Sequence, residues 1–426
     1  MCCTQCPGGE LNVGDHERDT AKLPGVRVLL SSTAGAGHFN PLVPVLEALE
    51  RRNDEVLIVV PPELEATVRV TGHAFRIGAD PPRDELASLW ARFATLPRAA
   101  ASVIVEREIF GRLCTAAMLP AVDEACRGWR PDLVLHETCE YASVVAAQRY
   151  GVVHAQVAIS AAVAEAGAQR LAEPALEPYG AVLSDRLRAS PYLTRFPTSI
   201  DPSPFPHTMR YRDATPRECA TLPDWWAGSE LPLVYVTFGS VTGGLPVATA
   251  TYQVALQAVA SLDALVLLTV GRAVDPQALG PVPANVHIEA WVPQERVLPR
   301  AAVVVCHGGS GTTFGALAAG VPIVFIPLFA DQPANARRVT AVGAGLIVGP
   351  NADSTGAPAE LGLSDVAPLR VAIESVLANN SFAQAARRIG DEMRGFPGID
   401  GVLAQLASET APVEGRRWSL GPNQPA

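Results

Sequence analysis

Residues 291–332 read WVPQERVLPRAAVVVCHGGSGTTFGALAAGVPIVFIPLFADQ. Two short apolar runs within this stretch predict buried strands, and the apolar run between them predicts a helix. In chain order the three elements are Ala301–Val305, Phe314–Ala319 and Val321–Ile326. A glycine-rich turn, His307–Thr313, joins the first strand to the helix. This alternation, with polar residues only where each strand ends, indicates an open α/β sheet.

The glycine-rich turn leads into the N-terminus of the predicted helix. The first backbone N–H groups of a helix have no partner within it, and the helix dipole adds partial positive charge there. Glycines let an anion approach these groups closely, and His307 can donate a hydrogen bond to a phosphate oxygen. Asp331 and Gln332 follow the next strand, at the sheet edge where ligands of such sheets bind. The stretch therefore predicts a site for a phosphate joined to a sugar.

The same stretch resembles the nucleotide-sugar signature of glycosyltransferase family 1, the natural-product and plant glycosyltransferases with the GT-B fold. The matching positions are Trp291, Pro293-Gln294, Val297-Leu298, the loop from His307, Gly320-Val321-Pro322, Pro327 and Asp331-Gln332. The HGGSGTT form of the loop is more similar to bacterial antibiotic glycosyltransferases than to plant enzymes. The resemblance extends from about Val26 to Ser408. It implies an α/β protein of the GT-B class, with two Rossmann-like domains facing across a cleft.

The resemblance also implies how the second domain binds a nucleotide-sugar. Trp291 stacks on the base, and Val292 and Gln294 contact the base or the ribose. The diphosphate lies against the glycine loop, and Asp331 and Gln332 hold the sugar hydroxyls. The loop and strand-end residues that complete the predicted donor site are Gly239, Ser240, Arg272, His307, Gly309, Ser310, Gly311 and Thr312.

The first half of the chain opens with another strand, helix, strand unit. Val26–Ser32 predicts a strand, Leu42–Arg52 a helix and Glu55–Val60 the next strand. The loop after the first strand carries two glycines, but Asn40 stands where a dinucleotide-binding fingerprint needs its third. By the resemblance, this loop lies at the cleft between the domains, and His38 is the catalytic histidine.

Two glutamates are candidates to orient His38. The run from Pro131 predicts a buried strand that ends at Glu137, and Glu140 follows three residues later. Both lie at the same sheet edge as His38, so either carboxylate could hydrogen-bond its ring. The family often carries an Asp at about the position of Glu137, and the choice between Glu137 and Glu140 stays open.

Length and composition limit the remaining classes of protein. The 426 residues predict at least two domains, and the 48% hydrophobic content is that of a globular protein. A net charge of -10 without a basic patch argues against nucleic acid as a partner, and no apolar run reaches membrane-spanning length. The first residues do not resemble a signal peptide, so a cytoplasmic location is predicted. Cys2, Cys3 and Cys6 have no second Cys/His pair nearby to complete a metal site.

The predicted boundaries follow proline-rich stretches and strand ends. They are a disordered tail at 1–24, an acceptor-binding domain at 25–212, a linker at 213–230, a nucleotide-sugar-binding domain at 231–396, a helix at 397–410 that packs back on the first domain, and a disordered tail at 411–426. Residues 84–107 are rich in Ala and Arg and predict mobile helices, a region that lines the acceptor pocket in the family.

Together these observations predict an inverting glycosyltransferase that needs no metal and no cofactor. His38 acts as general base on a hydroxyl of a small lipophilic natural product, because imidazole titrates near neutrality. The helix N-terminus and His307 neutralise the leaving diphosphate. Gly315 stands where family members that use UDP-sugars commonly carry a ribose-binding Glu. This departure favours a dTDP-sugar, and with it a deoxysugar, over a UDP-sugar.

Four other functions fit parts of the pattern. An NAD-dependent oxidoreductase lacks the third glycine of its fingerprint. A hydrolase with Ser310 as nucleophile lacks the last glycine of G-x-S-x-G, because Thr312 stands there. A GT-B sugar epimerase would need a nucleotide-sugar but no acceptor, and a binding protein with a dead site would not need His38. The identities of sugar and acceptor, attachment through oxygen rather than carbon or nitrogen, and a homodimer stay open.

Overall fold

The computed structural model describes residues 25–93, 96–213, 226, 228–239, 248–271, 274–328, 330–349 and 361–410. Strands of the first half are β1 Arg27–Ser31, β2 Glu55–Val60, β3 Ala74–Ile77, β4 Leu133–Glu137, β5 Val153–Val157, β6 Tyr192–Thr194 and β7 Thr208–Arg210. Strands of the second half are β8 Leu233–Thr237, β9 Leu265–Thr269, β10 Val286–Glu289, β11 Ala301–Cys306, β12 Ile323–Phe325 and β13 Gly345–Ile347. They form one parallel sheet in the order β3-β2-β1-β4-β5-β6-β7 and another in the order β10-β9-β8-β11-β12-β13.

Helices connect the strands and cover both faces of each sheet. Those of the first half are Ala36–Phe39, Val43–Arg52, Glu65–Arg69, Arg83–Phe93, Arg98–Val103, Thr115–Trp129, Ala142–Tyr150, Ala162–Leu176 and Leu183–Ala189, with a π-helix at Ile104–Cys114. Those of the second half are Ala248–Val259, Gln294–Val297, Ser310–Ala318, Gln332–Ala341, Val366–Ala378, Asn380–Arg394 and Ile399–Thr410. Short 3₁₀ turns lie at Asn40–Leu42, Pro62–Leu64, Glu177–Tyr179, Pro276–Leu279, Leu298–Arg300 and Leu363–Asp365.

The middle residues of the central strands are apolar because both sheet faces are covered. In β1, Val28, Leu29 and Leu30 are at most 1% exposed, and Leu29 lies opposite Leu57 of β2 and Val134 of β4. Burying a side chain of this kind contributes about 1.5–3 kcal/mol. Parallel strands buried on two faces have this continuous apolar character, which is why the sequence marked them clearly.

The sequence did not predict the strands β3 and β6. By its sequence the run 161–193 favours helix throughout, but Tyr192 and Leu193 belong to β6. This strand is only three residues long, so its apolar run carries no period that separates strand from helix. The strand β3 lies at the sheet edge and is only partly buried, which leaves it without a clear apolar pattern.

The last helix, Ile399–Thr410, packs on the first sheet although it follows the second in sequence. Its buried residues join the core formed by β1, β2 and the Val43–Arg52 helix, and they are Ile399, Val402, Leu403 and Leu406. Arg51 of the Val43–Arg52 helix donates two hydrogen bonds of 3.0 Å to the Asp400 carboxylate. The chain therefore closes back on its own first half.

Some predictions concern residues outside the described part of the chain. They include both predicted tails, most of the predicted linker, the cysteines at positions 2, 3 and 6, and the donor-site residues Ser240 and Arg272. Among the described helices none is both long and apolar enough to span a bilayer. The cytoplasmic location stays a prediction.

Candidate active site

The carboxyl ends of both sheets open onto one cleft of about 3210 Å³. The loop after β1, the π-helix Ile104–Cys114 and the Ala162–Leu176 helix line it from the first half. The loops after β11 and β12 line it from the second half. Parallel strands present their carboxyl ends at one edge, so each sheet brings its polar loop residues to this cleft.

His38 lies on the first-half wall of the cleft, in the one-turn helix that follows β1. Its Nδ1 is 3.2 Å from Oε1 of Glu137, and its side chain is 21% exposed. The two groups are not aligned as a hydrogen bond, so the contact is electrostatic. The Phe110 ring packs against the imidazole with a centroid distance of 5.1 Å. Nδ1 thus faces the carboxylate, which leaves Nε2 for a substrate.

Glu137 is fully buried at the end of β4 and is held by backbone and side-chain donors. Its Oε1 accepts hydrogen bonds from the Thr33 amide at 3.1 Å and the Thr33 hydroxyl at 2.7 Å, and its Oε2 accepts from the Cys139 amide at 2.7 Å. Burial alone would raise the pKa of Glu137, but His38 and these donors outweigh it and lower the pKa. Burial likewise disfavours the charged His38 ring, yet the Glu137 carboxylate raises the pKa of His38 overall.

Glu140, the other candidate partner of His38, has a different role in the fold. Its carboxylate accepts hydrogen bonds from the amides of Ala142 at 3.1 Å and Ser143 at 3.0 Å, in the first turn of the Ala142–Tyr150 helix. Burial raises the pKa of Glu140 to about 7. The structure therefore places Glu137 rather than Glu140 beside His38, and amides at a helix N-terminus bind the Glu140 carboxylate.

His307 lies on the opposite wall, enclosed by glycines. A Cβ on Gly309 would lie 2.5 Å from its Nε2, and a Cβ on Gly239 would lie 2.9 Å from its Cε1. Gly308 has a φ of +92°, and a Cβ there would lie 2.9 Å from the Gln332 carbonyl oxygen. Burial lowers the pKa of His307 to about 4. The ring is therefore neutral at pH 7, so it can donate a hydrogen bond but does not supply the charge expected from the sequence.

The helix after the glycine loop begins at Ser310, four residues before its predicted start at Phe314. Its first intrahelical hydrogen bond runs from the Thr313 amide to the Gly309 carbonyl at 3.0 Å. The amides of Ser310, Gly311 and Thr312 therefore form the first turn, where N–H groups have no partner within the helix. These glycines and hydroxyl residues form the helix terminus itself rather than a loop before it.

Asp331 is held by donors from both halves of the chain. Its Oδ2 accepts hydrogen bonds from the hydroxyls of Ser310 and Ser160, each at 2.8 Å, and from the side-chain amide of Asn335 at 3.0 Å. Ser160 follows β5 in the first sheet, so this contact crosses the cleft. Gln332 is 3% exposed, and its Oε1 accepts from the Leu328 amide at 2.9 Å.

The predicted base and ribose contacts lie at the outer end of this wall. Trp291 is 59% exposed, and Val292 beside it is buried. The Thr312 hydroxyl donates to Oε1 of Gln294 at 3.3 Å. A Cβ on Gly315 would lie 3.2 Å from Cδ1 of Leu298 and 3.8 Å from Nε2 of Gln294.

One group of side chains in the described residues has ligand atoms close enough for a metal ion. His38, Glu137 and Cys139 offer atoms within 4.8 Å of one another. Burial holds the pKa of the Cys139 thiol well above its ordinary value, which keeps it protonated and a weak ligand. The predicted absence of a metal stays a prediction.

Sequence reasoning missed several residues of the cleft, among them Glu106, Phe110, Ser160 and Glu165. None stands in a motif, and the first two lie in a helical stretch, 104–114, whose mixture of apolar and charged residues is that of an ordinary surface helix. Glu106 stands beside Arg107 and Glu108 in the sequence, so no local signal separates it from those surface charges.

The chain is similar to proteins that transfer sugars. Two family models match it, "Erythromycin biosynthesis protein CIII-like, N-terminal domain" over residues 94–239 and the corresponding C-terminal domain over residues 253–408. The L-demethylnoviosyl transferase of Streptomyces niveus is 31% identical, over 90% of this chain and 98% of that protein. The elloramycin glycosyltransferase ElmGT of Streptomyces olivaceus is 29% identical, over 89% of this chain and 97% of that protein.

The fold agrees with solved structures of the same kind. The glycosyltransferase SnogD from Streptomyces nogalater superposes with a TM-score of 0.70 at 26% identity, over 91% of this chain and 99% of that one. The spinosyn rhamnosyltransferase SpnG has the same TM-score of 0.70 over 89% of this chain. The predicted GT-B arrangement of two Rossmann-like domains facing across a cleft is confirmed.

Proposed function

We propose that this chain, which belongs to the family of erythromycin biosynthesis protein CIII-like glycosyltransferases, is an inverting enzyme that uses His38 as its general base. The observation that carries the proposal is the pairing of His38 with the buried Glu137 carboxylate. The pair lies in the same cleft as the free N-terminus of the Ser310–Ala318 helix. A base on one wall and an anion site on the other are the two groups that sugar transfer from a nucleotide-sugar requires.

The chemistry follows from this arrangement. The acceptor hydroxyl gives its proton to Nε2 of His38 as its oxygen forms a bond to the anomeric carbon. The bond from that carbon to the diphosphate breaks, and its electron pair leaves with the nucleoside diphosphate. Attack opposite the leaving group inverts the anomeric configuration. Glu137 stabilises the imidazolium that forms, as in catalytic triads. The amides of residues 310–312 and neutral His307 donate hydrogen bonds to the departing diphosphate.

The acceptor is a small lipophilic natural product. The first-half wall of the cleft supplies an apolar surface that includes Trp90, Ile109 and Phe110. Several relatives are named for compounds of this kind, such as the aklavinone 7-beta-L-rhodosaminyltransferase of Streptomyces galilaeus and the tylactone mycaminosyltransferase of Streptomyces fradiae. An apolar surface with polar groups at defined places suits such an aglycone.

The donor is a dTDP-sugar. Gly315 offers no carboxylate to a ribose 2′-hydroxyl, and the Gln294 amide lies beside it. Gly315 also allows Leu298 to pack closely, so a larger residue there would have to displace that side chain. Calorimetric titration with dTDP and UDP tests the choice. We expect dTDP to bind more tightly, and clearly tighter binding of UDP would contradict it.

The base assignment is tested with His38→Ala. Loss of a general base should lower kcat/KM for transfer from dTDP-glucose to an alcohol acceptor, whose hydroxyl is not already acidic, by about 10²–10⁴-fold. The dissociation constant of dTDP should stay within about twofold, because the predicted donor residues lie on the other wall. The exposed His207 provides the matched control, since His207→Ala should transfer as the wild type does.

The same assay separates this function from the alternatives. Release of dTDP should require the acceptor, and the product should have the inverted anomeric configuration. Conversion of the donor without an acceptor would favour an epimerase, and a nicotinamide absorbance change would favour an oxidoreductase. Near-normal transfer by His38→Ala would reject His38 as the base.

A further inference from the structure

The π-helix Ile104–Cys114 forms part of the first-half wall and lies beside His38. Long π-helical segments are rare and are often found at functional sites. One side packs tightly on the Ala162–Leu176 helix, because a Cβ on Gly111 would lie 3.1 Å from Cβ of Ala175. Another side faces the cleft with Glu106 and, four residues later, Phe110, whose ring contacts His38. This geometry places a carboxylate beside the proposed base.

Glu106 differs from the other carboxylates near His38 in having no partner for its buried oxygen. Glu137 accepts hydrogen bonds from Thr33 and Cys139. Glu165 accepts from the Thr138 hydroxyl, the amides of residues 159 and 160, and the Tyr192 hydroxyl. Oε2 of Glu106 is buried without a hydrogen-bond partner in the described part of the chain.

Glu108, two residues after Glu106 on the π-helix, has a structural role. Glu108 receives hydrogen bonds from Arg107 at 2.9 Å and Arg112 at 3.0 Å. Its position is explained by these surface ion pairs. No cation meets Glu106 in this way among the described residues, although an unpaired buried carboxylate costs free energy. Such a group is expected where a ligand supplies the missing donor.

The electrostatics of Glu106 agree with this interpretation. Burial raises its pKa to about 7, with His38 opposing the rise and Glu137 adding to it. Near neutral pH the group therefore exists in both forms, and a hydrogen-bond donor placed against it would favour the carboxylate. The geometry supports the same conclusion, because Phe110 of this helix contacts the His38 ring and Glu106 lines the same cleft one helical turn earlier.

We propose that the Glu106 carboxylate binds a second hydrogen-bond donor of the acceptor, a hydroxyl or amine next to the hydroxyl that receives the sugar. The inference rests on the proposed function, since it assumes that the acceptor reacts at His38. It makes Glu106 a specificity-determining residue and defines the acceptor class as one with two neighbouring donors. His38 selects the reacting oxygen, and Glu106 fixes its orientation through the neighbouring group.

The test compares two probes that differ by one hydroxyl, 1,2-dihydroxyanthraquinone and 2-hydroxyanthraquinone. Their dissociation constants are measured on the full chain by quenching of tryptophan fluorescence. The wild type should bind the dihydroxy probe about tenfold more tightly, as expected for a hydrogen bond to a charged group. In Glu106→Leu the two affinities should become equal, and in Glu106→Gln the preference should be partly kept.

Two controls keep the test independent of folding. Glu108→Gln on the same helix should retain the full preference. Glu106→Leu removes an unpaired buried carboxylate, so its melting temperature should equal or exceed that of the wild type. An equal affinity of the wild type for both probes, or an unchanged ratio in Glu106→Leu, would overturn the inference.

The outcome is separable from that of the proposed function. His38→Ala should keep the binding preference while losing transfer. A protein that prefers the dihydroxy probe but transfers no sugar would contradict the proposed function alone. Sugar transfer without any preference between the probes would contradict only the role of Glu106.

Discussion

At the scale of single residues, the partners and the burial of each ionisable group in the cleft determine its pKa. Glu137 is buried with several donors and has a lowered pKa, whereas Glu140 and Glu106 have pKa values raised to about 7 by burial. The pKa of His38 is raised and that of His307 is lowered to about 4, although both histidines lie just after the end of a strand. The difference follows from a carboxylate beside one ring and glycine backbone around the other.

Glu137→Gln should shift the pH dependence of transfer. His38 must be neutral to accept a proton, so activity is lost as pH falls through its raised pKa. Without the Glu137 charge the burial effect dominates and the pKa of His38 falls, so this acidic limb should move to lower pH. The maximal rate should also fall, by about tenfold or more, because the imidazolium is no longer stabilised.

A pH profile of kcat/KM for Glu137→Gln, Glu140→Gln and the wild type checks this. In Glu140→Gln the acidic limb should stay in place, since Glu140 binds helix amides. An acidic limb that moves only in Glu140→Gln would reverse the assignment of the partner.

At the scale of elements, the Ser310–Ala318 helix and the loop before it act as one unit. Gly308, with its positive φ, brings the chain against the Gln332 carbonyl, and Gly309 leaves room for the His307 ring. Asp331, from the loop after the next strand, then hydrogen-bonds Ser310 at the start of the helix. The wall is rigid because consecutive strand ends are tied to the same helix terminus.

Gly309→Ala should weaken diphosphate binding. The new Cβ would lie 2.5 Å from Nε2 of His307, so the ring would have to leave its position. Loss of one hydrogen bond to a charged group corresponds to about 1.5–3 kcal/mol, or about 10–100-fold in the dissociation constant of dTDP measured by calorimetry.

Gly128→Ala is the matched control, because Gly128 is helical and a Cβ there meets nothing within 4 Å. It should bind dTDP as the wild type does. Unaltered dTDP binding by Gly309→Ala would show that His307 does not contact the diphosphate.

At the scale of the whole molecule, several contacts join the halves of the chain, and two of them bear on the cleft and on the first-half core. The Ser160 hydroxyl crosses the cleft to the Asp331 carboxylate at 2.8 Å. The last helix returns to the first sheet, and Arg212 beside β7 pairs with Gly398 just before that helix begins. The first-half core is therefore incomplete until the end of the chain has folded.

Leu406→Ala should destabilise the first half of the protein. Leu406 is 0% exposed and packs in the core around β1 and β2, so the change should cost about 2–5 kcal/mol. Urea unfolding followed by a probe in the first half measures it. Leu363→Ala, at a residue that is 76% exposed, should change the stability little. Equal effects of the two substitutions would show that the last helix contributes nothing to the first core.

The sequence alone predicted the alternation of strands and helices, the GT-B class and the loops that carry His38 and His307. The alternation depends on apolar runs and glycine spacing, which are local properties of the chain, whereas the GT-B class and the role of the His38 loop came from the resemblance to glycosyltransferase family 1. Short or edge strands such as β3 and β6 were not predicted because their apolar patterns are too brief or too exposed. The start of the Ser310 helix was misplaced because glycine and threonine are poor helix formers, a local preference that tertiary contacts such as that of Ser310 with Asp331 override.

Only the tertiary structure decided which side chains meet. Glu137 and Glu140 are three residues apart, and their different partners depend on where β4 ends relative to the loop after β1. The proposed role of Glu106 depends on its burial near His38, which stands 68 positions earlier in the chain. The contact of Ser160 with Asp331 spans 171 positions. Such pairings depend on the packing of whole sheets and helices against each other, which no local pattern of residues encodes.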